Sequence, residues 1–454
     1  MISRAWLGVT SRIIEPRAQG SVNNSSPGEG ARALLSAAAV RRVARRVFNL
    51  ALDSTLEDWA VNMDRLPLTA DFVAKVVRER YPTLRPPFHA RWRHFVFGGK
   101  DLWGEIAGAA AAGARSGVAA GAAPGAGSGS LAGSAGAARA AFDLAITSVL
   151  LDAGAGAEWR YRDAATGLIA VRSEGLALAS LRWFERGGLS DNPREPLRAD
   201  AAALCRIDAA AVDDAFQSTD GNRLQGASGR ASLLNRLGSA MLARPDLFAS
   251  GDTPRPGGLF DVLAARAAPG GRLAAATILE VLLEGLGPIW PNRPTLDGVP
   301  LGDCWLHPAL RGDRPVDRFV PLHKLSQWLA YSLIEPLEIA GLEVVDVGGL
   351  TGLAEYRNGG LFVDMGVLVP RDFAAFSRVH AVSDPFVVGW RAATVALLDE
   401  VAPMVAARLG LATEEFPLAR VLEGGTWAAG RLIAREKRMD AGPPFKISSD
   451  GTVF

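Results

Sequence analysis

The residues best placed to do chemistry gather around position 355. In the run from Gly349 through Glu355, Tyr356, Arg357, Asn358, Gly359 and Gly360 to Asp364, two acids, a tyrosine and an arginine are set among glycines. Glycine lets a backbone turn sharply and approach a ligand closely. A carboxylate beside a sugar ring can stabilise the oxocarbenium-like state through which a glycosidic bond breaks, or position water. A second acid can protonate the leaving group. On that chemistry Glu355 is the stabilising carboxylate, and Asp364, or Asp303 from another loop, is the proton donor. His323 is a further general-acid candidate. Arg357 would clamp a phosphate or orient Glu355, while Tyr356, Trp305 and Trp427 would supply apolar walls. The same residues also suit a hairpin stapled by Arg357 with Glu355 or Asp364, because structural ion pairs gather acids and arginines too.

Three other loops share this polar, glycine-rich texture: Asp220 to Arg223, Asp303 to His307, and Glu423 to Trp427. Asp, Asn and Gly are also what turns and caps demand, so each loop has that simpler reading. Histidine is scarce, with only five in the chain. His89 and His94 could share a metal, but no carboxylate within their motif completes a ligand set. The two cysteines, Cys205 and Cys304, lack metal-like spacing and fit a reducing compartment. Cys304 near His307 would make a thiol nucleophile only with a paired base, and a small buried side chain is the alternative. No Walker-type loop, Gly-x-Gly-x-x-Gly fingerprint, Gly-x-Ser-x-Gly elbow or His-Glu-x-x-His pair occurs.

The elements that must position these groups read as mainly helical. With 49% apolar and 21% charged residues, the 454-residue chain has globular composition and can bury a large core. A net charge of +1 offers no field for a polyanion, so nucleic acid is not an expected partner. No stretch is apolar enough to span a bilayer. Amphipathic or buried helices are expected over 31–52, 71–80, 140–151, 176–184, 230–243, 273–286, 323–334, 387–409 and 417–438. Extended structure is expected at 343–347, 360–369 and 445–454. That pattern predicts a mainly α domain with a small sheet or hairpin in the C-terminal half. Residues 1–30 read as a disordered or processed leader. Residues 108–138, low-complexity Ala and Gly, read as a flexible insertion interrupting a single domain over 31–454.

The segment from Gly348 to Leu368 resembles the signature of the uracil-catabolism protein four family. So do Pro87–Phe95, Arg172–Leu176, Gly229–Leu234, Val320–Leu329, Leu422–Arg431 and Ser449–Phe454. The resemblance covers roughly 31–454. It implies a place in a pathway degrading uracil to urea and a three-carbon acid through ribosylated intermediates. A second, local similarity links Leu350–Arg357 to the queuosine-salvage nucleosidases, helical proteins distantly like helix-hairpin-helix glycosylases, which hydrolyse an N-ribosidic bond. Glu355 stands where those carry an aspartate. Together these imply an N-ribosyl hydrolase for a ribosylurea-type small molecule, cytoplasmic, with no cofactor and no metal. Substrate contacts would come from Tyr356, Arg357, Trp305, His307, His323, Trp427, Asp220 and Arg223. One alternative is a non-catalytic pyrimidine-binding or scaffold protein in contact with the other uracil-degradation enzymes. Another is a metal-dependent amidohydrolase using His89, His94 or His307.

Overall fold

A computed structural model describes residues 28–119, 134–152, 154–156, 158–251 and 253–448. The expected leader therefore lies outside the described residues except for its last three, and Glu29–Arg32 already forms a short helix. Residues 449–454 of the expected terminal strand lie outside as well; Lys446–Ser448 is extended.

The chain is mainly α. Helix α1 (Ala37–Leu52) begins where the Ser36 hydroxyl accepts the Ala39 N–H at 3.2 Å, and it buries Val40, Val43, Val47 and Phe48. Helix α2 covers Leu66–Arg80. Helices α3 (Leu102–Ala119) and α4 (Ser134–Leu150) flank residues 120–133, which are outside the described set. The Ala/Gly segment, expected to be a flexible insertion, is thus helical at both described ends, as alanine's top helix propensity favours. Then follow α5 (Arg172–Glu185), α6 (Ala227–Ala243), α7 (Ala275–Leu286), α8 (Lys324–Ile339), α9 (Tyr356–Asp364), α10 (Pro385–Leu409) and α11 (Trp427–Lys437).

Buried side chains from these helices join into one extended apolar cluster. Helix α10 lies at its centre, packed on α1 and α2, and α8 packs on α4 and α7. Helix α11 rests directly on α9: a Cβ on Gly430 would come within 2.1 Å of the Arg357 carbonyl oxygen. Only glycine permits that approach, which explains the glycine at position 430.

The strands are short two-stranded ladders spread along the chain, where a small sheet late in the sequence was expected. Arg160–Arg162 pairs with Ile169–Val171, and Cys304–Leu306 with Phe319–Pro321, both antiparallel. Trp59–Val61 pairs with Leu368–Pro370, tying the N-terminal third to the C-terminal third. The expected extended run 360–369 is instead helical as far as Asp364 and a strand only over Leu368–Pro370. Alternation of apolar residues could not anticipate that Glu355 caps a helix there. Among the described residues no helix is long and apolar enough to cross a membrane.

Candidate functional site

A cavity of about 360 Å³ opens beside the N-terminus of α9. Its wall includes Glu355, Tyr356 and Arg357 from that turn, Lys324 and Trp328 from α8, and Trp427 from α11. His89, His94, Asp152, Arg172 and Ser173 complete the polar side, and the 440–443 loop forms part of the rim. A space of this size is in the range that holds a small organic ligand.

Glu355 is the N-cap of α9. Its carboxylate accepts the Arg357 N–H at 2.8 Å and the Asn358 N–H at 2.6 Å. Two backbone donors and the positive end of the helix complement negative charge at that point. The side chain is only 5% exposed, and among the described residues it makes no salt bridge with arginine. The expected staple between Arg357 and Glu355 or Asp364 is absent from those residues. The Arg357 guanidinium instead lies 4.7 Å from the Tyr356 ring centre and donates to the Ala441 carbonyl at 2.9 Å.

Lys324, the first residue of α8, lowers its ammonium against Trp328, 5.8 Å from the ring centre. Burial pushes its pKa down, while the charges of Glu355 and Asp152 oppose that shift. Arg172 reaches the cavity from the first position of α5 with φ of 54°, a left-handed conformation that costs a non-glycine residue about 1–2 kcal/mol.

Behind this wall Arg91, fully buried, donates to Asp152 at 2.6 Å and to Ser148 Oγ at 2.8 Å. It also donates to His94 Nδ1 at 3.1 Å. Desolvation, then the Arg91 charge, push the His94 pKa down to about 4, so the ring is neutral near pH 7. His89 is held differently. Its Nδ1 lies 2.6 Å from a Glu423 oxygen, and Glu423 also meets the Tyr81 hydroxyl at 3.3 Å. Glu423 sits on a π-helical turn, Leu422–Thr426, which interrupts the run into α11 at the paired glycines. Such turns are rare and often mark functional positions.

Of the residues singled out from sequence, Glu355, Tyr356, Arg357 and Trp427 meet at the cavity, as do His89 and His94, which the sequence offered only as metal-ligand candidates; Asp364, Asp303, Trp305, His307, His323, Asp220 and Arg223 do not line it. Asp364, expected as a proton donor, takes two hydrogen bonds from Arg438 at 2.7 and 2.6 Å. Asp303 is gripped by Arg391 at 2.8 and 2.7 Å and also accepts from Trp305 Nε1 and the Lys324 N–H. Although burial opposes it, the Arg391 charge holds this carboxyl well below its ordinary range, so it has no proton to give. Trp305 thus orients Asp303, with Arg293 over its ring at 4.8 Å. His307 and His323 are buried, and burial pushes both imidazoles down. His323 Nε2 bonds the Leu34 carbonyl at 3.0 Å, away from the cavity. Cys304 is buried in a ladder with its thiol pushed up, which removes it as a nucleophile. Asp220 and Arg223 are exposed around the tight turn that bridges Thr219 and Asn222.

Sequence reasoning missed Asp152, Arg172, Ser173, Lys324 and Trp328 as site residues, and it named Glu423 only as part of a candidate loop. The signal available was placement: Arg172, Ser173, Lys324, Trp328 and Glu423 all fall inside the motifs that carried the family resemblance. Among the described residues no three His, Cys, Asp or Glu side chains are grouped to hold a metal ion, so they offer no ligand set to the amidohydrolase alternative.

Comparison with known proteins agrees with the resemblance. Protein urg3 of Schizosaccharomyces pombe is 36% identical over 434 residues, spanning 93% of this chain and 98% of that protein. Uracil catabolism protein 4 of Lachancea kluyveri is 33% identical over 455 residues, spanning 92% of this chain and 98% of that protein. The family model described as Protein of unknown function (DUF1688) matches residues 33–454, nearly the whole chain, and the protein belongs to that family.

Proposed function

We propose that this protein acts in uracil catabolism by hydrolysing the N-ribosyl bond of a ribosylurea-type intermediate, releasing urea and a sugar in the cytoplasm. The pathway follows the printed name of the Lachancea relative, and the site chemistry supports the reaction class. The observation that carries the reading is the Glu355 carboxylate. It lines a sugar-sized cavity, is fixed by two amide donors and has no guanidinium partner among the described residues.

As the bond to nitrogen lengthens, positive charge grows on the ring carbon and oxygen. A preorganised carboxylate at the cavity wall stabilises that charge without having to reorient. By comparison with single preorganised electrostatic groups elsewhere, such a contact contributes about 2.7–4 kcal/mol. Trp328, Tyr356 and Trp427 supply flat apolar walls for a ring to lie against. Lys324 and Arg172 offer donors to sugar hydroxyls or to a substrate anion.

Incubating the protein with uracil, uridine, uridine monophosphate and ribosylurea, and following released base, urea and sugar, tests this. Urea and sugar from ribosylurea are the expected products. Binding of ribosylurea without turnover would instead favour the non-catalytic binding role.

A further inference from the structure

We propose that His89, oriented by Glu423 on the π-helical turn, is the acid that protonates the departing nitrogen. This rests on the ribosyl-hydrolase reading above. That reading needs a proton donor, and both acids expected from sequence are engaged elsewhere, Asp364 by Arg438 and Asp303 by Arg391.

The cavity wall contains two histidines in opposite electrostatic settings. His94 accepts from the Arg91 guanidinium through Nδ1, which leaves its hydrogen on Nε2 and disfavours the imidazolium. His89 meets a carboxylate through Nδ1 at 2.6 Å, which fixes the orientation of the ring; in the protonated ring Nδ1 donates to Glu423 and Nε2 carries the second hydrogen. Its Nε2 has no hydrogen-bond partner among the described residues. Two indoles hold the ring, with Trp328 and Trp427 at 6.1 and 6.0 Å between ring centres. Among the described residues, charged and titratable groups next to the pair include Tyr81, Arg80 and His94.

The step balances simply. The C–N bond breaks and its electron pair stays with nitrogen. The Nε2 proton of His89 neutralises that nitrogen, so urea leaves uncharged. The water that adds to the ring carbon returns one proton to the neutral His89. Glu423 is a positioning residue in this scheme, since it touches His89 and not the reacting atoms.

The test compares ribosylurea, whose leaving group needs a proton, with a p-nitrophenyl riboside, whose leaving group departs as a stable anion. His89→Gln should lose about 10²–10⁴-fold in kcat/KM on ribosylurea, the usual contribution of a general acid, and much less on the activated riboside. Turnover of the riboside also shows that the variant is folded. Glu423→Gln should show the same selective pattern with a smaller loss. Equal losses on both substrates for His89→Gln overturn the proposal and leave the ribosyl-hydrolase reading intact. A wild-type protein active on neither substrate overturns both.

Discussion

Two carboxylates, buried Glu355 and partly buried Asp303, look alike in the sequence, each among glycines and aromatic residues, yet the fold uses them in opposite ways. Asp303 is surrounded. Arg391 takes both oxygens, and Trp305 and the start of α8 take the remaining lone pairs. Its charge is neutralised in place, and it joins α10 to the loop that leads into α8. Glu355 is hydrogen-bonded by backbone amides alone among the described residues, it feels the Lys324 charge across the cavity wall without a clamping guanidinium, and it borders open space. A carboxylate complemented by partial charges keeps most of its field for a ligand, whereas one clamped by a guanidinium does not. Burial and acidity do not make a site; an incompletely neutralised charge beside a cavity does.

The largest expected break in this comparison is Asp303→Ala. Removing the carboxylate from buried Arg391 should cost about 3–5 kcal/mol of stability, measured by denaturant unfolding. An unchanged midpoint would show that the pair is not structural. Next is Glu355→Gln. It should lower kcat/KM on ribosylurea by about 10²–10³-fold through lost charge complementarity, while altering stability by only about 1 kcal/mol through the weakened cap. A large stability loss with normal turnover would reverse the roles assigned to the two carboxylates.

A third effect depends on pH. In the unfolded chain His94 takes up a proton near pH 6.5, but in the folded protein only near pH 4. Between those values the unfolded state binds more protons, so stability falls as pH is lowered through that window. His94→Asn should remove this increment, and unfolding at pH 7 and pH 5 would measure it. Equal acid sensitivity in variant and wild type contradicts the neutral role of His94. The smallest effect belongs to Asp364→Asn. Its pair with Arg438 is partly exposed on the arginine side, so a loss of about 1 kcal/mol is expected. Turnover should not change, and a marked drop would restore Asp364 to the chemistry.

Much of the helical framework was legible from apolar spacing. The stripes on α1, α6 and α8 follow directly from Val40, Val43 and Val47, from Leu233, Leu234 and Leu237, and from Leu325, Leu329 and Leu333. The stretch at 360–364 was misread as strand because Leu361, Phe362 and Val363 have strand character. The deciding facts are nonlocal: Glu355 caps the helix, Gly359 lets the Trp390 ring pass at 2.5 Å from where a Cβ would stand, and Gly430 admits α11. The cavity was most legible where its residues are contiguous, at Glu355, Tyr356 and Arg357, with Trp427 added as a wall from a separate loop. Asp152, Arg172 and Lys324 come from segments far apart in sequence, and no spacing rule says which faces converge. Asp303 and Asp364 were misassigned because their arginine partners, Arg391 and Arg438, lie 88 and 74 residues away.

The most direct measurement is calorimetric binding of a cationic iminoribitol, which mimics the ribosyl cation, compared with uncharged ribose. If Glu355 faces a transient cation, the wild type should bind the iminoribitol at least about 10²-fold more tightly, as transition-state mimics do, and Glu355→Gln should erase that preference. Equal affinity for the two compounds in the wild type, or a preference that survives in the variant, would contradict the account.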